Sequence, residues 1–420
     1  MNIRDYSHLS HDGRDWTAAF SCAIEELKEQ GGGTLFVPAG AYPTGSIRLY
    51  DNMTLQLDNG AHLRFHQRFD AFPLIDLEFE GNEGPIHQPC IFAQHAKHVA
   101  ITGYGTIDGQ GDFWWKPIRE RTPLEYPRPY LVCFADCEDV TIENVRLTNS
   151  PVWTVHPLRC RHVTVSGVHI KNPADAPNTD GINPNACSDV KILGCTIDVG
   201  DDCIAIKSGT EKTTKRQACE RIIISNCHFL HGHGGVVLGS EMSGGIRNVV
   251  VSSCIFSETD RGIRLKTRRG RGGTVEGIQL FNLTMEKVMC PFVFNMYYFC
   301  GADGKMKHVW DKAAYPVNEG TPCLKDVSIT GVRARECWAC AGFFYGLAEM
   351  PVEGVTMQDV VVEMAQDGKP GRPAMMDGCP EMRQQGFFMR NAKDVDIRGV
   401  RVKNVCGEWL DADGSVQLIS

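Results

Sequence analysis

Short runs in which apolar and polar residues alternate recur along most of the chain. Each run has an apolar anchor residue and a second apolar residue two positions later, which is the period of a strand with one buried face. From Val140 onward, another apolar residue follows five positions after each anchor. Anchor spacing ranges from 23 residues (163 − 140) to 32 residues (222 − 190), with longer gaps where loops are inserted. The anchors are Val99, Val140, Val163, Val190, Ile222, Val249, Ile278, Val327, Val355 and Val395.

This repeat predicts an all-β fold, a parallel β-helix in which each copy is one coil and coils stack about 4.8 Å apart. We expect one domain over residues 1–420, with a helical cap over 1–30 and β-helix coils over 31–420. Asp15 is the candidate N-cap of the capping helix, and Gly31–Gly33 ends it. The apolar residues at helical spacing in this cap are Ala19, Phe20, Ala23, Ile24 and Leu27. Inserted loops are expected at about 66–90, 110–130, 210–218, 300–322 and 365–385.

A second series of alternating runs follows the first, with one run in each of several coils. The runs cover 154–158, 181–185, 203–207, 235–239, 262–266 and 292–296. Alternation directs Ile182, Ile204, Ile206, Val236, Leu238, Ile263 and Leu265 into the core. It places Asn183, Asn185, Ala205, Lys207, Val237, Arg264 and Lys266 on the outer face of one sheet. The groove over that sheet is where we expect chemistry.

Composition narrows the class of protein. The formal net charge of the 420 residues is −8, so general attraction to nucleic acid is not expected. No apolar run is long enough to span a bilayer, and no secretory signal begins the chain. We therefore expect a cytoplasmic protein, with a removed signal as the competing interpretation. The oligomeric state stays open.

Eighteen cysteines are the unusual part of the composition. Cys195, Cys227 and Cys254 fall in the apolar column five residues after the anchor, which predicts reduced thiols stacked in the core. Cys337 and Cys340 have the spacing of a redox motif, but no strand–helix context supports that role. We expect no cofactor and no metal.

Three aspartates stand directly before two of the outward-facing runs. Asp201 and Asp202 follow Asp180 by 21 and 22 residues, close to one coil, so the three carboxylates are expected to meet in one patch. Their mutual repulsion predicts that the pKa of at least one is raised, which keeps that carboxyl protonated near neutral pH. A protonated acid beside ionised carboxylates suits glycoside hydrolysis, and a carboxyl separation of roughly 6.5–9.5 Å predicts inversion.

Later coils add basic groups in the same register. His233 precedes its strand as Asp202 does, where an imidazole can hydrogen-bond an acid carboxyl. Arg264 and Lys266 face outward two residues apart, and such paired cations indicate a substrate that carries a carboxylate. The run Arg268–Arg271 either adds to this positive charge or is a solvated loop.

Four segments together resemble the signature motifs of the polygalacturonase family, glycoside hydrolase family 28. They are Asn-Thr-Asp-Gly at 178–181, Gly-Asp-Asp-Cys at 200–203, Gly-His-Gly at 232–234 and Arg-Leu-Lys at 264–266. The resemblance runs from about residue 12 to the C-terminus and implies a right-handed parallel β-helix and inverting hydrolysis of α-linked galacturonate. It implies that Asp201 is the general acid, that Asp180 and Asp202 position and activate water, and that His233 supports the acid's protonation.

The resemblance also implies substrate-binding residues. They are Arg264 and Lys266 at the sugar carboxylate, Asn178, and Tyr298, with Tyr297 as its rival for the position facing the groove. The expected substrate is an acidic oligosaccharide, an oligogalacturonide with α-1,4 linkages.

Two further segments, 153–157 and 239–245, resemble the bacterial exo-acting branch, in which inserted loops close the groove into a pocket. Asn183 and Asn185 depart from that branch, where aspartates are common. The alternatives are a hydrolase of rhamnogalacturonan or another modified pectin fragment, a pectate lyase with calcium on the three aspartates, and a non-catalytic carbohydrate-binding β-helix.

Overall fold

The computed structural model describes residues 1–299 and 301–419. The chain divides into two compact units, Met1–Asp201 and Asp202–Ser420, called unit 1 and unit 2. The expectation of a single domain over 1–420 stays a prediction. Within the described ranges, no helix combines the length and the apolarity needed to cross a membrane.

The N-terminus forms the predicted helical cap. A 3-10 helix, Ile3–Leu9, leads to an α-helix, Thr17–Glu29, whose buried residues are the five predicted ones. The predicted N-cap is one residue off, because Trp16 holds that position and makes no side-chain capping bond. Asp15 still provides an acceptor for a free amide at the start of the helix, since its Oδ1 accepts a hydrogen bond of 2.9 Å from the Thr17 amide.

Three parallel ladders build unit 1. The first joins Gly33–Val37, Met53–Leu57, Lys97–Gly103, Glu138–Glu143, Arg161–Ser166 and Ser188–Leu193. The second joins Gly40–Thr44, Ala61–Phe65, Thr106–Asp108, Arg146–Thr148, His169–Lys171 and Thr196–Asp198. The third is a four-stranded sheet of Ile47–Leu49, Ile91–Gln94, Val132–Ala135 and Val155–Leu158.

Unit 2 repeats this plan. Its long ladder joins Cys219–Ser225, Ile246–Ser252, Thr274–Glu286, Cys323–Cys337, Val352–Met364, Ala392–Arg398 and Val416–Ile419. Shorter strands that extend this ladder are His228–His231, Ile255–Ser257 and Arg401–Lys403. A seven-stranded sheet joins Asp202–Ile206, Gly234–Gly239, Arg261–Lys266, Cys290–Asn295, Cys340–Tyr345, Gln385–Arg390 and Leu410–Ala412.

The strand register confirms the repeat. In unit 1 the anchors Val99, Val140, Val163 and Val190 are paired in sequence. In unit 2 the same is true of Ile222, Val249, Ile278, Val327, Val355 and Val395. All of these side chains are buried, so each column packs like residues on like residues along its stack.

One predicted strand is interrupted. Residues 181–185 form only two isolated parallel bridges, Val155 with Ile182 and Leu158 with Asn185. The facing strand carries Pro157, which has no amide hydrogen to donate to Asn183 O, and His156 Nδ1 donates to that carbonyl at 2.8 Å instead. The segment that follows Asp180 is therefore held by side chains as well as by backbone pairing.

The seven residues that alternation places on the outer face of the sheet are far less exposed than this prediction implies. The seven residues are all buried, and the most exposed of them, Lys207 and Lys266, reach 6%. Charged groups on this face must therefore be paired within the protein.

The inserted loops carry short elements of their own. Residues 66–90 contain a 3-10 helix, Phe69–Ala71, and an antiparallel hairpin of Leu74–Phe79 and Asn82–His87. Residues 110–130 contain the α-helix Asp112–Arg119. Residues 300–322 contain the short helices Ala302–Lys305 and Lys307–Trp310.

Most of the cysteines that the structure describes are buried. All 17 cysteines that the structure describes carry free thiols, and Cys300 lies outside the described residues. Cys195, Cys227 and Cys254 are buried in the core. Burial raises the pKa of the Cys337 and Cys340 thiols, which opposes formation of a reactive thiolate.

Candidate active site

Asp180 is a buried carboxylate with an amide donor at its side. It is 4% exposed, and its Oδ2 accepts a hydrogen bond of 2.9 Å from Asn183 Nδ2. Its backbone carbonyl accepts a hydrogen bond of 2.8 Å from the Thr154 amide. The neighbouring Thr179 Oγ1 donates to Ala176 O at 3.0 Å. These bonds fix the turn and orient the carboxylate.

Arg128, from the insertion 110–130, holds the same turn. It is 4% exposed, and it donates to Pro151 O, to Pro177 O and to Asn178 Oδ1 at 2.8–2.9 Å. Burial lowers its pKa to about 10, while the charge of Asp180 opposes that shift. The structure therefore places Asn178 against a buried guanidinium. A partner 50 residues away gives no local sequence signal, which is why Arg128 was missed.

Asn185 is also engaged from an inserted loop. Its Nδ2 donates to Glu78 Oε1 at 3.1 Å, and Glu78 lies on the hairpin of unit 1. Arg159 approaches Glu78 at 3.3 Å and Asp136 at 2.7 Å. Both asparagines that depart from the expected aspartates thus face a carboxylate, Asp180 for Asn183 and Glu78 for Asn185.

Asp201 ends unit 1, and its side chain is half-buried. The residue before it, Gly200, donates its amide to Thr179 Oγ1 at 3.3 Å. A Cβ on Gly200 would lie 2.5 Å from Ala176 O, so only glycine permits this close approach. The turns that carry Asp180 and Asp201 are therefore packed directly against each other in unit 1.

Asp202 begins unit 2 and is paired with both cations of the Arg264–Lys266 motif. Lys266 Nζ lies 2.8 Å from its Oδ2, and Arg264 Nη1 lies 3.5 Å from its Oδ1. Burial alone would raise the pKa of Asp202, but the charges of Lys266 and Arg264 lower it well below its usual range. Asp202 is therefore ionised at neutral pH, and it is not the protonated carboxyl that mutual repulsion predicts.

The strand Gly234–Gly239 leaves room for that carboxylate. A Cβ on Gly234 would lie 3.1 Å from Asp202 Oδ1 and 2.5 Å from a methyl carbon of Val237. Glycine at 234 therefore lets the backbone pass close to Asp202. His233, one residue earlier, is exposed at the start of this strand.

Tyr298, rather than Tyr297, stands beside the cation pair. The centre of its ring is 5.4 Å from Arg264 Cζ and 5.1 Å from Lys266 Nζ. Tyr297 lies under Lys312, whose Nζ is 3.4 Å from the Tyr297 ring centre. Of the two rivals, Tyr298 is thus the neighbour of the predicted carboxylate-binding residues.

A second buried ion pair lies on the same face of unit 2. Lys207 Nζ approaches Glu241 Oε1 at 3.4 Å, and both side chains are at most 10% exposed. The charge of Lys207 also contributes to the lowered pKa of Asp202. Alternation had placed Lys207 outward, but nothing in the local pattern identified Glu241 as its partner.

These residues give each unit a distinct chemical character. Unit 1 presents the oriented carboxylate of Asp180 and the more accessible one of Asp201. Unit 2 presents two cations that share one ionised carboxylate, with an aromatic ring against them. The first set can transfer protons or activate water, and the second can receive an anionic group.

Comparison with known proteins identifies the family. The model of glycosyl hydrolases family 28 matches residues 51–372. A probable polygalacturonase of Vitis vinifera is 34% identical over 365 residues, which is 84% of this chain and 72% of that protein. A probable polygalacturonase of Arabidopsis thaliana is 34% identical, but the chain spans only 43% of its length.

Solved structures show the same fold. A hyperthermoactive exopolygalacturonase of Thermotoga maritima matches with a TM-score of 0.76 and 29% identity, covering 95% of this chain and 91% of that one. A family 28 exopolygalacturonase of Yersinia enterocolitica matches with a TM-score of 0.81 and 19% identity, covering 99% and 77%. The predicted right-handed parallel β-helix is confirmed. Since the family model matches well over half of its residues, this chain belongs to glycosyl hydrolases family 28 and is a glycoside hydrolase.

Proposed function

We propose that this glycoside hydrolase cleaves the α-1,4-galacturonide linkages of pectic oligosaccharides, with inversion and from a chain end. One observation carries the choice of substrate. Arg264 and Lys266 bring two buried positive charges to the single negative charge of Asp202. The excess positive charge suits the carboxylate of a uronic acid, and Tyr298 supplies an aromatic wall beside it. Relatives named polygalacturonases support the same substrate.

The proposed roles of the carboxylates follow from their surroundings. Asp201 is the general acid, because it is the more accessible of the three and is placed by a tightly packed turn. Asp180 and Asp202 position and activate water, a role that requires ionised carboxylates such as Asp202. His233 supports the protonation of the acid. Asn178 acts in substrate binding through the turn that Arg128 holds.

The hairpin of unit 1 supports exo action. Phe79 stacks on Tyr130 at 5.6 Å and on Trp153 at 6.4 Å, measured between ring centres. These rings, with Leu77 and Ile86 of the hairpin, form one apolar cluster with the four-stranded sheet. A hairpin packed on the four-stranded sheet in this way blocks part of the surface on which a polymer would lie in an open cleft. Products are therefore expected to be released from a chain end.

Two alternatives receive less support. In a pectate lyase the aspartates would bind calcium, but the ammonium of Lys266 already lies 2.8 Å from Asp202 and repels a cation. For rhamnogalacturonan or another modified pectin fragment, the Arg264/Lys266 pair beside Asp202 favours galacturonate in the carboxylate-binding subsite instead. Asn183 and Asn185, which could alter subsite preference, each face a carboxylate of the protein.

We also propose that the enzyme acts in the cytoplasm on imported oligosaccharides. The free thiols of the described cysteines support a reducing compartment.

Replacement of the proposed acid tests the reaction. Asp201→Asn should lower kcat on trigalacturonide by about 10²–10⁴-fold, because the amide cannot donate the proton that the leaving group needs. The thermal midpoint should stay unchanged, since Asp201 is half-buried at a turn. Asp198→Asn is the control, an aspartate on the strand Thr196–Asp198 whose Oδ2 lies 3.7 Å from Lys171 Nζ. Turnover of Asp201→Asn close to that of the control would remove Asp201 from the mechanism.

A further inference from the structure

A basic groove lies on the outer face of the C-terminal coils of unit 2. It encloses about 700 Å³ on the strands Cys323–Cys337, Val352–Met364 and Arg401–Lys403. Four cations and two carboxylates line it, namely Arg333, Arg335, Arg401, Lys403, Asp359 and Glu363. These strands belong to the long ladder of unit 2 and not to the sheet that carries Arg264 and Lys266.

Strand register sets the spacing of the charges. Arg333 pairs with Val361, and Val361 pairs with Arg401, so the two arginines stand two coils apart in one row. Two coil spacings of about 4.8 Å place their backbones about 10 Å apart. Glu363 pairs with Lys403 in the adjacent outward row. The groove thus offers cations at regular intervals on either side of the apolar Val361.

The carboxylates neutralise only part of this charge. Arg333 Nη2 donates to both carboxylate oxygens of Asp359 at 2.9 Å, and Lys403 approaches Glu363 at 3.9 Å. Arg335 and Arg401 form no ion pair with any residue in the described ranges. The groove therefore has an excess of two positive charges, on a chain whose formal net charge is −8.

We propose that this basic groove binds uronate units of a longer oligogalacturonide away from the catalytic residues and holds the chain while its end is hydrolysed. Arginine presents parallel N–H donors that match a carboxylate, and the side chains of Arg335 and Arg401 are both exposed in the groove. An apolar position between arginines allows contact with the C–H face of a sugar. The acidic balance of the whole chain disfavours nucleic acid as the occupant. The identity of the polyanion rests on the proposed function.

The test removes the two unpaired cations. Arg335→Gln/Arg401→Gln is compared with Lys393→Gln/Arg398→Gln, which removes the same charge from the same unit outside the groove. Binding to polygalacturonate is measured by affinity electrophoresis at low salt, with Asp201→Asn in all proteins to prevent hydrolysis. We expect the apparent Kd to rise about tenfold for the groove variant and to stay unchanged for the control. With Asp201 restored, kcat/KM on trigalacturonide should be the same for both.

Each result bears on the proposal. Equal polygalacturonate affinity of the groove and control variants would overturn it. The proposal would also be overturned if single-stranded DNA bound as tightly as polygalacturonate and lost affinity in the groove variant. The groove would then be a general polyanion site. If the wild-type enzyme binds polygalacturonate through these arginines but leaves trigalacturonide intact, the groove is supported and the proposed reaction is contradicted.

Discussion

Asp202 is held ionised by two neighbouring cations of the site. The sequence predicts three carboxylates of which one has a raised pKa, and the structure excludes Asp202 because Lys266 and Arg264 keep it ionised. The sequence also predicts that these two cations receive a substrate carboxylate. That role now has to be shared with Asp202, which they already contact. Motif spacing identified all three residues, but not that they are paired with one another.

Asn183 is expected to tune the acid–base chemistry of Asp180. In Asn183→Asp, a carboxylate of the same shape replaces the amide that donates to Asp180 Oδ2 at 2.9 Å. Two carboxylates at that distance share a proton, so an apparent pKa in the site should rise. The acidic limb of the pH profile of kcat/KM on trigalacturonide should therefore move upward by about one pH unit or more.

Asn149→Asp is the matched control for this shift. Asn149 Nδ2 donates to Asp108 Oδ1 at 3.0 Å, which is the same kind of bond elsewhere in unit 1. Its replacement should leave the pH profile in place. A profile that does not move in Asn183→Asp would show that Asp180 takes no part in the rate-limiting protonation equilibrium.

At the scale of elements, buried charge fastens the first strand of the seven-stranded sheet to the third. Asp202 begins Asp202–Ile206, and Lys266 ends Arg261–Lys266, with both side chains at most 7% exposed. Alternation placed Lys266 on the correct face. It gave no indication that the ammonium is needed there to compensate a buried carboxylate 64 residues earlier.

Loss of Lys266 should therefore destabilise the protein. Lys266→Met leaves Asp202 buried with one cation fewer, which costs about 3–5 kcal/mol of unfolding free energy at pH 7. Adding Asp202→Asn should recover much of that loss, because the uncompensated charge is then gone. Because the folded-state pKa of Asp202 is lowered, the stabilisation is fully present above its unfolded pKa of about 4 and is lost progressively as the pH falls from there towards the lower folded-state pKa.

Urea unfolding at pH 7 and pH 3 measures this effect. Lys287→Met is the control, since Lys287 pairs with Glu258 at 3.6 Å on the surface and should contribute no more than about 1 kcal/mol. A Lys266→Met variant as stable as this control at pH 7 would mean that the Asp202 pair does not hold the two strands together.

Elements were predicted best where the repeat was strict. The paired anchors, the inward face of the second series and the buried face of the capping helix follow directly from apolar periodicity. The exceptions have local causes, such as Pro157, which cannot donate a backbone hydrogen bond to the segment 181–185. The hairpin of residues 74–87 lay in a segment recognised only as an insertion, because its partners Tyr130 and Trp153 are distant in sequence.

At the scale of the whole molecule, stacking of similar residues explains both the fold and the cysteine content. A coil buries its apolar column only against neighbouring coils, so small apolar side chains such as cysteine suit that column. Cys195, Cys227 and Cys254 are therefore core residues rather than ligands or disulfide partners. Family membership was accessible from four short motifs, whereas the covering of the outer face depends on loops that follow no repeat.

Reducing agent should accordingly leave the protein unchanged. Loss of a native disulfide typically costs about 2–5 kcal/mol, which would lower the thermal midpoint by several degrees. With free thiols at the 17 described cysteines, dithiothreitol should shift the midpoint by less than about 1 °C. A fall of several degrees in calorimetry would contradict the reduced core.

We propose above that this enzyme hydrolyses oligogalacturonides from one end with inversion. The most direct measurement is a proton NMR time course of hexagalacturonide hydrolysis, which records the size and the anomeric configuration of the first products. We predict galacturonate and pentagalacturonide as the first products, with the newly formed reducing end in the β configuration. The proposed reaction would be wrong if the new end were α-configured, if a product were unsaturated, if intermediate oligomers appeared from the first minutes, or if no cleavage occurred.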